Sequence, residues 1–452
     1  VDIRPSSLAA ALALLTACAA EPSPAHLPAE SRPAEARWVD RPQNTVEPTV
    51  AGAAVVGSVL TASPGTWTGP GPITFTWKWR RCERDGSACV AIPGETAATY
   101  TVTGDDALHT LSARVTARNT AGPRRRSTAP LATAFPAGTV CDTAGGAWTA
   151  PPVLEHVIVV LMENRDASEV AGNAAAPYFD GLLAQCGSST GYLDNLFPWD
   201  INSLSHYLAL TSGSNCDVGL GSTGTACVTD DNGPGSHQLS TQSIFEQVGS
   251  WTAYQEGMPS NCDSGNPAAG TAYWVKHNPP AYYSRLAAEC PVDDVGIASV
   301  SCSSTPGTPC SAPSNRLVDD LALDTLAEFS FVTPDIDNDM HDGSVSEGDN
   351  WLRTYLPLIF DSPAYRRGGT AVYVLWDEEN GAFANGPIPN LFVSPFVRPH
   401  VSSEVMNHFA ALRAFEDQLG VTTHLGCAGG AAPGGGACPA GSTTDLRAEF
   451  GL

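Results

Sequence analysis

The strongest constraint on this chain is the stretch His156-Val-Ile-Val-Val-Leu-Met-Glu-Asn-Arg165. Val157 to Met162 is apolar without a break, too short for a helix and rich in β-branched side chains. It therefore reads as a strand covered on both faces, as inside a parallel sheet. A carboxylate and an amide, Glu163 and Asn164, follow at once. Ligands of open α/β sheets sit outside the carboxyl ends of the strands, so this pair is a candidate metal or phosphate site. The competing reading is a capped turn.

The pattern around that strand agrees with it. From about residue 153, helical periodicity is expected over 176–185, 203–211, 241–248, 315–326, 351–360 and 404–419, and strands over 251–254, 329–333, 370–375 and 391–394. Such alternation implies an α/β domain with a largely parallel sheet. Residues 211–240 and 290–314 read as long loops, which in compact domains are usually lids or rims.

A second strand repeats the logic of the first. Val372-Tyr-Val-Leu-Trp376 runs directly into Asp377-Glu378. Two acidic strand ends in one sheet can hold a cation through hard oxygen ligands; the alternative is an acidic surface turn. Between them, Asn202-Ser203-Leu-Ser205-His206-Tyr207 enters a helix. Its serine is either an N-cap or a nucleophile at a helix N-terminus, where backbone N–H groups favour phosphate. Lys276-His277-Asn278-Pro279 sets one of only two lysines beside a histidine. Asp335-Ile-Asp337-Asn338-Asp339-Met-His341-Asp342 follows another strand. It is no EF-hand loop, because Met340 stands at the glycine position and no glutamate ends it. His341 is thus a candidate for phosphate contact or proton transfer.

The 452 residues carry a formal charge of −24. That field disfavours nucleic acid and anionic membranes unless a cation reverses it locally. Thirteen cysteines, with no C-x-x-C pair, imply an oxidising compartment and disulfides rather than a zinc ribbon. Cys82 with Cys89, Cys216 with Cys227, Cys302 with Cys310 and Cys427 with Cys438 are close enough in sequence for local loops. Residues 1–18 read as a signal peptide ending in Leu15-Thr-Ala-Cys18, similar to a lipoprotein box whose Cys18 is lipidated; an ordinary secretory leader is the alternative. Residues 19–45 are a disordered tether and 134–152 a second linker. Between them, 46–133 reads as a β-sandwich of roughly seven short strands, with Thr74-Phe-Thr-Trp-Lys-Trp79 alternating at period two. Through Leu60–Trp67, Trp79–Cys82 and Ala117–Gly122 it resembles the Ig-like modules of exported actinobacterial proteins, and a spacer or weak adhesion role is expected. His109 within it reads as structural.

Taken together, His156–Asn164, the Ser203 helix entry, Lys276–Pro279, Asn338–Asp342, Gly348-Asp-Asn-Trp-Leu352, Trp376-Asp-Glu378 and Asn407-His-Phe409 resemble the bacterial phosphoesterase family. That family includes secreted acid phosphatases, phosphatidylinositol-3-phosphatases and related phospholipases C, with an alkaline-phosphatase-like fold. The resemblance spans 153–452 and implies that Glu163, Asn164, Asp377 and Glu378 bind one divalent ion. Oxygen ligands suit Ca, Mg or Mn, and nearby histidines leave Zn open. It implies Ser203 as nucleophile, though Asn202, Ser205 and His206 stand where the family has Pro, Pro and Asn, which keeps Ser205 in reserve. His277 and His341 would act in catalysis. Lys276, Asn278, His206 and Asp339 would contact substrate, and His408 would lie nearby.

The expected activity is a metal-dependent phosphoric monoester hydrolase, exported or lipid-anchored and monomeric. Its substrates would be small phosphate esters or phosphoinositide headgroups, with a phosphoserine formed on the way. No nucleic-acid partner is expected, and the membrane would be met only through a lipid anchor. Three alternatives stand: a phospholipase C cutting diesters, a non-catalytic surface-binding protein, and a serine esterase using Gly187-Ser-Ser189-Thr-Gly191. That G-x-S-x-G follows a helical stretch, which is the wrong context for a nucleophile elbow.

Overall fold

The computed structural model describes residues 40–146, 148–194, 202–216, 227–265, 272–380, 386–432 and 437–452. The leader, Cys18 and most of the tether fall outside these ranges. The large unit is built on one eight-stranded sheet. Its strands are β1 His156–Met162, β2 Gly187–Ser189, β3 Trp251–Glu256, β4 Asp294–Ile297, β5 Phe329–Thr333, β6 Thr370–Trp376, β7 Asn390–Val393 and β8 His400–Ser402. Their order is β4-β3-β5-β1-β6-β7-β2-β8. All pairs are parallel except those of β7, which runs against β6 and β2.

The apolar run dictates the centre. Val157 to Met162 and Thr370 to Trp376 are buried on both faces, which only an interior strand between helical layers can offer. β1 lies beside β6 in register from His156↔Thr370 to Met162↔Trp376. The next residue of each strand, Glu163 and Asp377, therefore leaves the sheet at the same level. The Asp377 N–H donates to the Met162 carbonyl at 3.1 Å.

Helices α1 Pro177–Leu183, α2 Ser203–Ser212, α3 Arg316–Leu323, α4 Val345–Phe360 and α5 His408–Gln418 cover the sheet. α2 is buried along its whole length and packs on α5. It stops at Gly213, whose φ is +72° and where a Cβ would lie 2.3 Å from the Leu425 carbonyl oxygen; only glycine fits there.

Several elements differ from expectation for local reasons. The 241–248 helix is the single turn Ile244–Gln247, opened by the Ser243 N–H donating to Glu246 Oε2 at 3.1 Å. The 351–360 helix starts earlier, at Val345, because Ser344 and Glu347 cap it. The last helix starts later, at His408, where the Asn407 side chain accepts from the N–H groups of Phe409 and Ala410. The 290–314 loop contains a helical turn, Cys290–Asp293, and edge strand β4. Four residues with Gly296 among them carry too little period to be read as a strand.

All four expected local disulfides are present, joined by Cys141–Cys186 and Cys262–Cys290. No helix among the described residues is long and apolar enough to cross a membrane.

The N-terminal region is antiparallel, with more strands than the seven expected. Thr49–Ala51, Val59–Ser63 and Thr99–Thr101 form one sheet. Thr74–Cys82, Val90–Ala91, Thr110–Asn119, Gly122–Ser127 and Leu131–Ala132 form another. Leu60 and Tyr100 from the first meet Trp79, Leu111 and Ala113 from the second in one buried cluster. His109 Nδ1 lies 3.2 Å from the Cys82 carbonyl, a structural contact. Phe135 meets Phe396 edge to face at 5.4 Å, tying this core to the large unit.

Candidate active site at the carboxyl ends of the central strands

Asn164 turns the chain sharply out of β1, at φ +37°. Asparagine tolerates this left-handed region better than most side chains. The turn aims the Asn164 N–H at Asp377 Oδ1, 3.1 Å away, and its Nδ2 at Glu378 Oε1, 3.3 Å away. The two strand ends thus form one acidic cluster.

Ser203 meets that cluster from the first turn of α2, with Asn202 at the N-cap position. The Ser203 hydroxyl lies 3.0 Å from Glu163 Oε2 and 3.2 Å from Glu378 Oε1. Its single proton serves one acceptor at a time. Lys276 Nζ donates to Ser203 Oγ at 3.2 Å and reaches Asp231 Oδ2 at 3.3 Å. Asp231 also accepts the Leu204 N–H at 3.1 Å, so one carboxylate ties the lysine to the helix start. The Ser205 hydroxyl points back to Asn202 Oδ1 and its carbonyl. Both His206 nitrogens face backbone carbonyls, those of Asn202 at 3.1 Å and Asp194 at 3.2 Å. Its Nδ1 lies 3.7 Å from Glu378 Oε2.

A third side is built by His277 and Asp339. His277 Nε2 is 3.2 Å from Glu163 Oε1, and its Nδ1 is 3.6 Å from Asp339 Oδ2. Tyr207 stacks flat on the His277 ring at 5.3 Å, fixing its plane. The His341 ring lies 6.2 Å from that of His277. His341 is more exposed, and its Nδ1 is held by Asp342 at 2.8 Å.

The charge balance is uneven. Glu163, Asp339, Asp377 and Glu378 are buried within one small volume, with Lys276 the near cation. Burial pushes Asp377 well above the usual carboxylate range, and Glu163 and Glu378 add to it. Burial and then Glu163 do the same to Asp339. Burial raises Glu378 to about 7 despite His206. Glu163 is the exception: burial opposes its charge, but His277 and Lys276 hold it at about 2. Burial also works against the Lys276 charge, yet Glu163, Asp231 and Asp377 lift it above its ordinary value. Burial pulls His277 down.

These residues fit a divalent cation. Asn164 Oδ1, Asp339 Oδ2 and Asp377 Oδ2 are buried without a hydrogen-bond partner, and Glu163 Oε1 faces His277 Nε2 alone. Orphaned acceptors in such number are costly in a dry interior. Two groups, Glu163-His277-Asp339 and His206-Asp377-Glu378, each bring potential ligand atoms within 4.8 Å of one another. Cys262, Cys290 and Asp294 also lie close, but those cysteines are joined to each other as a disulfide.

Other candidates lie elsewhere. The Asn278 amide donates to Asp294 at 2.8 Å and Tyr273 at 3.0 Å, not to the acidic cluster. His408 is fully buried, between the Asp377 carbonyl at 2.6 Å and the Tyr192 hydroxyl at 2.9 Å, and so braces the β6 end. Ser189 of the G-x-S-x-G segment sits in β2, and its hydroxyl bonds the Glu404 carbonyl and the Gly191 N–H. Two contributors escape sequence reading. Asp231 is one acid in the Asp230-Asp231-Asn232-Gly233 turn, where nothing distinguishes it from its neighbour. Tyr207 stands one turn after Ser203, a spacing that does hint at a shared helix face.

Acids at two parallel strand ends, with a hydroxyl and a lysine between them, have the composition of a hydrolytic centre. The phosphoesterase family model matches residues 183–422, and the chain belongs to that family; it is a phosphoester hydrolase. It is 28% identical over 281 residues to a phosphatidylinositol-3-phosphatase of Mycobacterium tuberculosis, covering 61% of this chain and 81% of the relative. Among solved structures it resembles a protein in the alkaline phosphatase superfamily from Vibrio parahaemolyticus, with TM-score 0.37 and 12% identity over 62% of this chain and 69% of the other. It also resembles a lipoteichoic acid synthase from Listeria monocytogenes, with TM-score 0.38 and 10% identity over 64% and 77%. The chemistry rests on the site and the family, not on these two overlays.

Proposed function

We propose that this chain is an exported, metal-dependent phosphoric monoester hydrolase acting through a phosphoserine at Ser203. One observation carries the reading: a buried hydroxyl within hydrogen-bond reach of Glu163, Glu378 and Lys276 at the mouth of a parallel sheet. Glu163, Asn164, Asp377 and Glu378 would hold the ion, with His277 and Asp339 beside them. A bound divalent cation would favour the ionised serine and draw charge from the phosphoryl oxygens. Oxygen donors fit Ca, Mg or Mn, and His277 keeps Zn open.

The protein's own groups complete the reaction. Glu378 takes the Ser203 proton, and Oγ attacks phosphorus in line. The Oγ–P bond forms as the bond to the leaving oxygen breaks. Lys276 and the N-terminus of α2 stabilise charge on the equatorial oxygens. His341, its Nδ1 fixed by Asp342, gives the leaving oxygen its proton and then deprotonates the water that cleaves the phosphoserine. Substrates are small phosphate esters or phosphoinositide headgroups, a range that includes the reaction in the mycobacterial relative's name. The N-terminal sandwich serves as an Ig-like spacer, and the mature chain works outside the cytoplasm as a monomer, free or held through Cys18.

Acid-quenching during turnover of ³²P-labelled phosphate ester tests this. Label should appear on the Ser203 peptide and vanish in Ser203→Ala. Label on Ser205, or full activity in Ser203→Ala, overturns the assignment.

A further inference from the structure

Trp274 stands apart from the other aromatic side chains. The exposed large hydrophobic residues among those described are aliphatic except for it. It precedes the short turn Val275–His277, which carries both Lys276 and His277. Lys276 Nζ lies 5.9 Å from the centroid of its ring and 3.2 Å from Ser203 Oγ. Exposure rises along that line, from 1% at Ser203 through 7% at Lys276 to 40% at Trp274. Along this line of contacts the indole is the group that meets solvent.

Resting on the proposed reaction at Ser203, we propose that Trp274 selects the leaving group, favouring phosphate esters whose leaving group is a ring. A phosphate bound between Ser203 and Lys276 and leaving along this line passes its ester substituent across the indole. Aromatic faces attract flat rings by offset stacking, and also the C–H edges of a cyclitol or sugar. Lys276 already occupies part of one face through a cation–π contact, so the stacking surface is anchored rather than loose. A chain with charge −24 repels an anionic bilayer, which favours a soluble or headgroup ring over insertion of the indole into lipid.

The test compares wild type, Trp274→Ala and Trp274→Phe on p-nitrophenyl phosphate, inositol 1-phosphate and glycerol 1-phosphate. For the two ring esters, Trp274→Ala should raise KM roughly tenfold with kcat within about twofold, and Trp274→Phe should recover most of the loss. Glycerol 1-phosphate should change less than about twofold, because it offers no ring to stack. An equal loss on all three, or a fall in kcat alone, would mean that Trp274 merely supports the turn carrying Lys276, and would overturn the proposal. So would an effect confined to substrate presented in vesicles. Wild type inactive on all three esters would instead sink the phosphatase reading, so the two failures are distinguishable.

Discussion

Replacing Lys276 by methionine removes the near cation while keeping the length of the side chain. The ammonium lies 3.2 Å from Ser203 Oγ. At an effective dielectric of about 20, a unit charge at that distance contributes about 5 kcal/mol to an anion formed on the oxygen. Not all of it is catalytic, because the same ammonium also serves Asp231 at 3.3 Å. Taking roughly half to two-thirds as transition-state stabilisation gives about 3 kcal/mol, or a loss of about 10²-fold in kcat/KM. The drop should fall mainly on kcat, because charge on the reacting oxygens develops in the transition state. Steady-state kinetics on p-nitrophenyl phosphate at saturating divalent ion, with metal content measured in parallel, reads this out. Asp231→Asn keeps the cation but loosens it, and should cost only about tenfold. A Lys276→Met loss below about fivefold, or one that tracks lost metal, would refute an electrostatic role for the lysine.

Three further outcomes follow. Asp377→Asn should weaken divalent-ion binding by about 10²-fold, measured calorimetrically, and excess metal should restore part of the activity; unchanged affinity places the ion elsewhere. Glu256 is buried and accepts from four donors, the N–H groups of Val300 and Asp335, the Asn338 amide and the Trp351 indole. Glu256→Gln turns an NH₂ toward two of them and should cost about 2–4 kcal/mol in denaturant unfolding; a neutral substitution would show that the loop ending at Asp339 is not held this way. Glu416 in α5, well away from the acidic cluster, is raised from its ordinary 4.5 to about 8, chiefly by burial. Its folded state therefore holds the proton more tightly than the unfolded one. The stability that Glu416 contributes is fullest below pH 4.5 and is lost as pH rises towards about 8. Glu416→Gln should flatten the fall in Tm across that window, and a slope like that of wild type would show that the carboxyl does not titrate there.

What the sequence makes legible is what local pattern controls. An uninterrupted β-branched run ending in Glu163-Asn164, and another ending in Asp377-Glu378, specify two interior strands and an acidic cluster at one end of the sheet. The Ser203 hydroxyl, on the first turn of its helix, is legible for the same reason. The four short cysteine loops were readable from spacing, whereas Cys141–Cys186 and Cys262–Cys290 join positions 45 and 28 residues apart, where spacing no longer selects a partner. Asp231 was hidden because its importance comes from the fold returning a turn to the start of α2. The direction of the Asn278 amide was hidden too: its neighbours Lys276 and His277 face the cluster, but one residue later the turn delivers it to Asp294. The short strands β2, β4 and β8 have too few residues to show a period.

The excess of acids explains how so anionic a chain can act on an anionic substrate. Four buried carboxylates share this cluster, two of them, Glu163 and Glu378, on the Ser203 hydroxyl, while Lys276 is shared with a fifth, Asp231. With those carboxylates ionised, a phosphate dianion entering that arrangement would meet net repulsion in a medium that screens poorly. The same carboxylates are needed if a cation is to be held strongly enough to reverse the local field. Repulsion without the ion and attraction with it are one property of one cluster. It follows from the register of β1 on β6, which brings Glu163 and Asp377 out of the sheet together. A slip of one residue between these strands would displace one acid along its strand by about 3.3 Å and break the cluster. The sheet that stabilises the domain thereby also fixes the spacing of these acids, and the apolar run at 157–162 is where both are set.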